Sequence, residues 1–95
     1  MILTVYKYPL AIEREQTVRM PLNAEILHVG AQHGLVALWA LVTSPADEEE
    51  RVFSVVGTGH AIELDGEHFL EPIGSVLVAD GVHVFHVLEH REFPS

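Results

Sequence analysis

Glycine, threonine, histidine and arginine residues that can bind an anionic group lie together in one stretch of the sequence. This stretch begins at Arg51 with residues typical of a strand, Val52 to Val56, and ends in Gly57-Thr58-Gly59-His60. Glycine adopts backbone angles that other residues resist, so this segment can turn sharply or approach a ligand closely. Successive backbone N–H groups in such a turn can form a concave anion site. The predicted ligand site consists of Arg51, Gly57, Thr58, Gly59 and His60.

Two interpretations of this glycine turn remain open. In the first, Thr58 and His60 donate hydrogen bonds to a bound anion and Arg51 clamps it. In the second, Thr58 and His60 hydrogen-bond to neighbouring backbone and only fix the path of two strands. The turn does not match a P-loop, because no Gly-Lys-Ser/Thr sequence follows it and no helix is predicted to begin there.

The remaining histidines and hydroxyls predict neither a metal site nor a catalytic set. The chain has seven histidines, but none forms the His-x-His pair that chelates from one face of a strand. His60 has Thr58 and Glu63 nearby, yet a threonine nucleophile normally relies on an amino terminus, and there is no Gly-x-Ser-x-Gly elbow. We therefore assign no catalytic residue and predict no metal and no cofactor. A non-enzymatic protein is favoured, and an enzyme that relies on His60 and nearby carboxylates stays open as the alternative.

The elements that position these residues are predicted to be strands. Residues with alternating polarity, separated by glycine, proline and Asp-Gly turn signals, predict short extended segments. Seven strands are predicted, over residues 2–8, 16–20, 25–31, 35–42, 51–56, 74–78 and 82–88, and two further pieces, residues 61–64 and 68–73, are expected to be extended. Seven or so short strands indicate an all-β domain, a small single-domain β-sandwich or open barrel with antiparallel strands. Residues 1–89 form this single domain, and residues 90–95 are predicted to be a frayed polar tail.

The most polar stretch, residues 43–50, is predicted to be a solvated loop. It contains a proline and the acidic run Asp47-Glu48-Glu49-Glu50. A one-turn helix is the alternative, since proline and acidic residues suit a helix N-terminus. If the acidic run has a function, it is contact with a basic partner.

The acidic charge excludes several classes of partner. The net charge is −9, from 14 acidic and 5 basic residues. Such a surface repels phosphate backbones and anionic membranes, so we predict no direct nucleic-acid binding and no membrane association. The longest apolar run has eight residues, far short of the ~20 that a spanning helix needs, and no signal peptide is expected. The acidic surface either imitates nucleic acid or only keeps the protein soluble.

Trp39, the single tryptophan, is a candidate interface residue. It lies in the apolar run of residues 35–42, which is apolar on both faces, as in a strand covered on both sides. Tryptophan in such a run is either core or an interface anchor, and a second subunit can cover the face that a small domain leaves open. We therefore predict a homo-oligomer. The absence of cysteine fits a cytoplasmic protein.

Several segments together resemble a known family. They are residues 6–10 (YKYPL), 16–21 (QTVRMP), 38–42 (LWALV), 51–60 (RVFSVVGTGH) and 84–89 (VFHVLE). The chain resembles, over nearly its whole length, a family of small proteins of unknown function carried by bacteriophages, prophages and bacteria. The resemblance implies a cytoplasmic, phage-associated protein and brings no established activity or catalytic residue.

The context of that family suggests binding functions. We expect a non-enzymatic accessory protein that binds a host or phage protein. The alternative is a protein that sequesters a small anionic ligand, such as a signalling nucleotide, at the glycine turn. These classes rest on context alone.

Overall fold

The computed structural model describes residues 1–94, which form seven β-strands and no helix. The strands are β1 (Ile2–Pro9), β2 (Gln16–Pro21), β3 (Glu25–Gln32), β4 (Leu35–Ser44), β5 (Glu48–Gly57), β6 (His68–Val78) and β7 (His83–Glu92). They form a three-stranded sheet A, in the order β1-β4-β3, and a four-stranded sheet B, in the order β2-β5-β7-β6. Every neighbouring pair is antiparallel. The predicted all-β fold of about seven antiparallel strands is confirmed, with two separate sheets.

Alternation along the central strands places the core between the sheets. In β4 the even-numbered residues from Val36 to Val42 are fully buried, because they face sheet B. From the opposite side Phe53 and Val55 of β5 point into the same core. Burying a large apolar side chain contributes about 1.5–3 kcal/mol, so this layer supplies much of the stability of so short a chain.

Sheet B does not cover sheet A evenly. At one side β6 packs on β3, so closely that a Cβ at Gly74 would lie 2.6 Å from Val29 Cγ2. A bulge between Pro72 and Gly74 accompanies this approach. At the other side β2 packs against β4 rather than β1. Strand β1 therefore extends beyond the edge of sheet B.

The prediction of a loop over residues 43–50 was wrong at both ends. Strand β4 continues to Ser44, and β5 already begins at Glu48, so only residues 45–47 connect them. The acidic run is held in the sheet by backbone pairing with β2, from Pro21 opposite Glu48 to Arg19 opposite Glu50. Pairing with a neighbouring strand outweighs the low strand preference of glutamate, because that preference depends on context.

Three other boundaries differ from the sequence analysis. Residues 68–78 form one bulged strand instead of two segments, because a bulge accommodates Pro72 within the ladder. Residues 61–64 are not in a strand. Strand β7 continues to Glu92, so residues 90–92 pair with β6 and belong to the sheet. Ser95, the last residue of the expected tail, lies outside the described residues.

No helix among residues 1–94 is long and apolar enough to cross a lipid bilayer.

Candidate functional site

The glycine turn closes β5 as a tight, hydrogen-bonded turn. The His60 N–H donates to the Gly57 carbonyl at 3.2 Å. Gly59 has a φ of +88°, a backbone conformation that suits glycine and strains other residues. A Cβ at Gly57 would lie 3.2 Å from His60 Cε1, so the imidazole folds back over the Gly57 backbone. The structure thus brings four of the five predicted site residues together.

The side chain of Thr58 is tied to the neighbouring strands by a histidine. Thr58 Oγ1 lies 2.7 Å from His86 Nε2, and Ser75 Oγ lies 2.8 Å from His86 Nδ1. A neutral imidazole donates through one nitrogen and accepts through the other, so His86 links both hydroxyls in one chain of hydrogen bonds. This chain joins the glycine turn to β6 and β7, through the His86 side chain rather than through the neighbouring backbone that the second interpretation expected for Thr58.

The structure does not bring Arg51 to the glycine turn. Arg51 lies six positions before Gly57 along the extended strand β5, a distance of about 20 Å at ~3.3 Å per residue. The guanidinium instead forms a bidentate pair with Glu89, with Nε–Oε2 at 2.7 Å and Nη2–Oε1 at 2.8 Å. Its Nη1 donates to the Ala24 carbonyl at 2.6 Å. The hydrogen bond to Glu89 raises the pKa of Arg51, so its charge is permanent.

Acidic residues gather at the opposite end of sheet B, which we call the acidic end. Its members are Asp47, Glu48, Glu49, Glu50, Asp65, Glu67, Glu71, Glu89 and Glu92. Antiparallel pairing explains the cluster, because the start of β5 lies beside the end of β7, and the start of β6 lies there too. His68 is thus paired with Glu92, and Val52 with His90.

The arginines at the acidic end are already paired. Arg19 lies 3.9 Å from Glu48 and 3.7 Å from Glu50, in exposed positions. Arg91 lies 3.3 Å from Glu71 and 3.5 Å from Glu89. Carboxylates outnumber these arginines, so the end keeps a negative potential.

A cleft of about 730 Å³ opens at the acidic end. Seven acidic side chains line it against two arginines, and Leu64 and Val52 supply apolar wall. At its rim Asp65 accepts hydrogen bonds from the Glu67 N–H and from His68, and these hold the pKa of Asp65 below its usual value. The hydrogen bond to Asp65 raises the pKa of His68 in turn. The cleft therefore suits a cationic group.

A second serine–histidine contact was missed by the sequence analysis. Ser54 is fully buried, and its Oγ lies 2.6 Å from His90 Nε2. The hydroxyl donates its single proton to the Arg14 carbonyl, so it must accept the Nε2–H of His90. In this arrangement His90 cannot act as a base towards Ser54, since it donates the proton that joins them. No sequence motif marks this pair, because 36 residues separate its members.

Trp39 lies on the outer face of sheet A. It is half-buried between Lys7 on β1 and His28 on β3, and its ring centroid is 5.7 Å from that of His28. Trp39 therefore lies on the face turned away from sheet B. A residue that anchors a second subunit would have to lie on such an outer face.

Within residues 1–94, no three or more histidine, cysteine or acidic side chains are arranged to hold a metal ion.

Comparison with known proteins places the chain in a family but brings no activity. No curated protein and no solved structure matches it significantly. A family model described as "Domain of unknown function (DUF7352)" matches residues 1–95, the whole chain. The chain therefore belongs to the DUF7352 family, whose function is unknown.

Proposed function

We propose that this chain is a non-enzymatic accessory protein that acts by binding another protein, and that the partner presents a basic surface. The observation that carries this proposal is the acidic end. Nine of the 14 acidic residues belong to it, and the three arginines there are already paired within the chain. Opposite charge on a partner accelerates encounter and fixes orientation.

The cleft at the acidic end indicates which kind of basic surface on a partner can bind there. A lysine or arginine side chain can place its cationic head among Glu50, Asp65 and Glu92 and its aliphatic stem against Leu64. Protein surfaces that normally hold nucleic-acid phosphates carry such side chains in clusters. The partner we propose is therefore a protein with a lysine- and arginine-rich site, which the acidic end would occupy in competition with nucleic acid.

The setting of this function is also a proposal. We infer a phage-type protein that works in the host cytoplasm. The support is the family resemblance described above and the absence of cysteine from the sequence.

The second candidate function is binding of a small anionic ligand at the glycine turn. In its favour, Gly59 and His60 are exposed at the end of sheet B that lacks the acidic cluster. Against it, Arg51 is remote, the Thr58 hydroxyl is bonded to His86, and the His60 N–H is bonded to Gly57. We rank it below protein binding because few unpaired donors remain at the turn.

A titration followed by ¹⁵N NMR separates the two candidates. With an octalysine peptide as the probe, we expect amide shifts at residues 47–51, 63–71 and 89–92, and an affinity that falls as salt is raised. With inorganic phosphate as the probe, we expect no saturable shift at residues 57–60. Saturable phosphate shifts there, abolished by Gly59→Val, together with no response to octalysine, would favour the small-ligand function instead.

A further inference from the structure

Strand β1 exposes apolar side chains on both of its faces. Six of its eight residues are exposed. On the face turned towards sheet B, Tyr8 packs against the core, but Ile2 and Tyr6 are 67% and 50% exposed, because β2 packs against β4 and does not cover this part of β1. On the other face, Leu3 and Val5 are 57% and 52% exposed. This strand is built as a central strand would be, yet it lies at an edge.

The backbone edge of β1 is equally unprotected. Natural edge strands are guarded by charges, prolines or bulges, which prevent pairing with another chain. Lys7 is the one charged residue between Ile2 and Tyr8. Its Nζ donates a hydrogen bond to Gln32 Oε1 on β3, at 2.5 Å, and so points away from the free edge of β1. The other edge of sheet A is different, because β3 carries a bulge between Ile26 and His28 and packs on β6. Sheet A therefore has one open edge.

The distribution of charge favours a second copy of this chain as the partner of the β1 edge. The strands of sheet A contain one acidic residue, Glu25, although the whole chain carries 14. Two copies with a net charge of −9 each repel one another at most orientations. They approach with least repulsion through β1, since residues 1–12 contain no acidic side chain.

We propose that β1 pairs antiparallel with β1 of a second copy. A two-fold axis perpendicular to the sheet relates two such strands and gives a self-complementary interface. The two copies of sheet A then form one continuous six-stranded sheet. Ile2 and Tyr6 of both copies lie together on its inner face, and Leu3 and Val5 on its outer face. Trp39 lies one strand away from the seam and is not its anchor.

Molar mass in solution tests this pairing. We expect light scattering to give twice the 10.5 kDa of one chain for the unaltered protein. Val5→Glu places two like charges at the middle of the seam and should yield the monomer. Leu77→Glu is the matched control, because Leu77 is 62% exposed on β6, which is an edge strand of sheet B. It should remain a dimer, and circular dichroism should show that both variants keep their strands.

Single cysteines give a test that does not require Val5→Glu to fold. The chain has no cysteine, so each variant carries one thiol. Backbone groups of alternate residues point outward, so a symmetric antiparallel pair places one residue directly opposite its own copy, with Cα atoms about 4.5–5.5 Å apart. That is within disulfide reach. Mild oxidation should therefore cross-link at least one variant among residues 3–7, and Leu77→Cys should stay uncross-linked.

Two results would overturn the proposal. One is a chain that remains monomeric up to millimolar concentration and forms no disulfide at residues 3–7, which would leave the open edge to a strand of a different protein. The other is a dimer of unchanged mass in Val5→Glu, because the seam would then lie elsewhere.

Discussion

Replacing Glu89 by alanine is expected to lower the free energy of unfolding by about 3–5 kcal/mol. The Glu89 side chain is 3% exposed and the Arg51 side chain 10% exposed, and two hydrogen bonds join them. Removing the carboxylate leaves the guanidinium charge buried with one backbone acceptor. In a domain of this size such a loss shifts the melting temperature by the order of 20 °C. Chemical denaturation at a fixed protein concentration measures it, since self-association would make stability concentration-dependent.

Two further variants show whether this loss comes from an uncompensated buried charge. Glu50→Ala removes an exposed carboxylate from the same strand as Arg51 and should change stability by no more than about 0.5 kcal/mol. Removing both charges in Arg51→Leu/Glu89→Leu should recover much of the stability that Glu89→Ala loses. A double variant as unstable as Glu89→Ala would contradict this explanation.

Phe53→Ala is the second large effect, with an expected loss of about 3–5 kcal/mol. Phe53 is fully buried at the centre of β5, within the core shared by both sheets. Truncation removes apolar contacts and leaves a cavity that the surrounding strands cannot fill completely. Urea denaturation compared with the unaltered chain gives the difference in the free energy of unfolding.

The same substitution at an exposed phenylalanine is the control. Phe93 is 57% exposed and packs against Phe69, with ring centroids 5.2 Å apart and ring planes tilted by 44°. Phe93→Ala should cost at most about 1.5 kcal/mol, the usual contribution of an aromatic pair. Equal losses at Phe53 and Phe93 would mean that the core does not lie between the two sheets as described.

The strands could be predicted from the sequence because their side chains alternate with the pleat. Residues 35–42 and 51–56 lie inside β4 and β5, and glycine or proline marks most ends. The start of β5 could not be predicted, since Glu48 to Glu50 carry neither alternation nor strand preference. Their place is set by pairing with β2, a contact between segments about 30 residues apart.

For the candidate sites too, features set by neighbouring residues could be predicted, and contacts between distant segments could not. The glycine turn was predictable, because local residue types dictate the positive φ of Gly59. The distance between Arg51 and the glycine turn follows from the six positions of regular strand that it spans. The partner of Arg51 could not be predicted, because Glu89 lies 38 positions away in the sequence. The Ser54–His90 contact and the acidic end likewise depend on the order β2-β5-β7-β6, which alternation alone does not specify.

The most direct measurement of the central claim is protein capture with matched charge variants. The unaltered chain, Glu50→Gln/Glu92→Gln and Glu13→Gln/Asp80→Asn are immobilised and exposed to nuclease-treated bacterial lysate, and the bound proteins are quantified by mass spectrometry. Both variants lose two exposed carboxylates, but only the first pair belongs to the acidic end. We predict that basic proteins retained by the unaltered chain and by Glu13→Gln/Asp80→Asn are lost from Glu50→Gln/Glu92→Gln. Equal retention by all three, or no retained protein at all, would contradict the claim that the acidic end binds a protein partner.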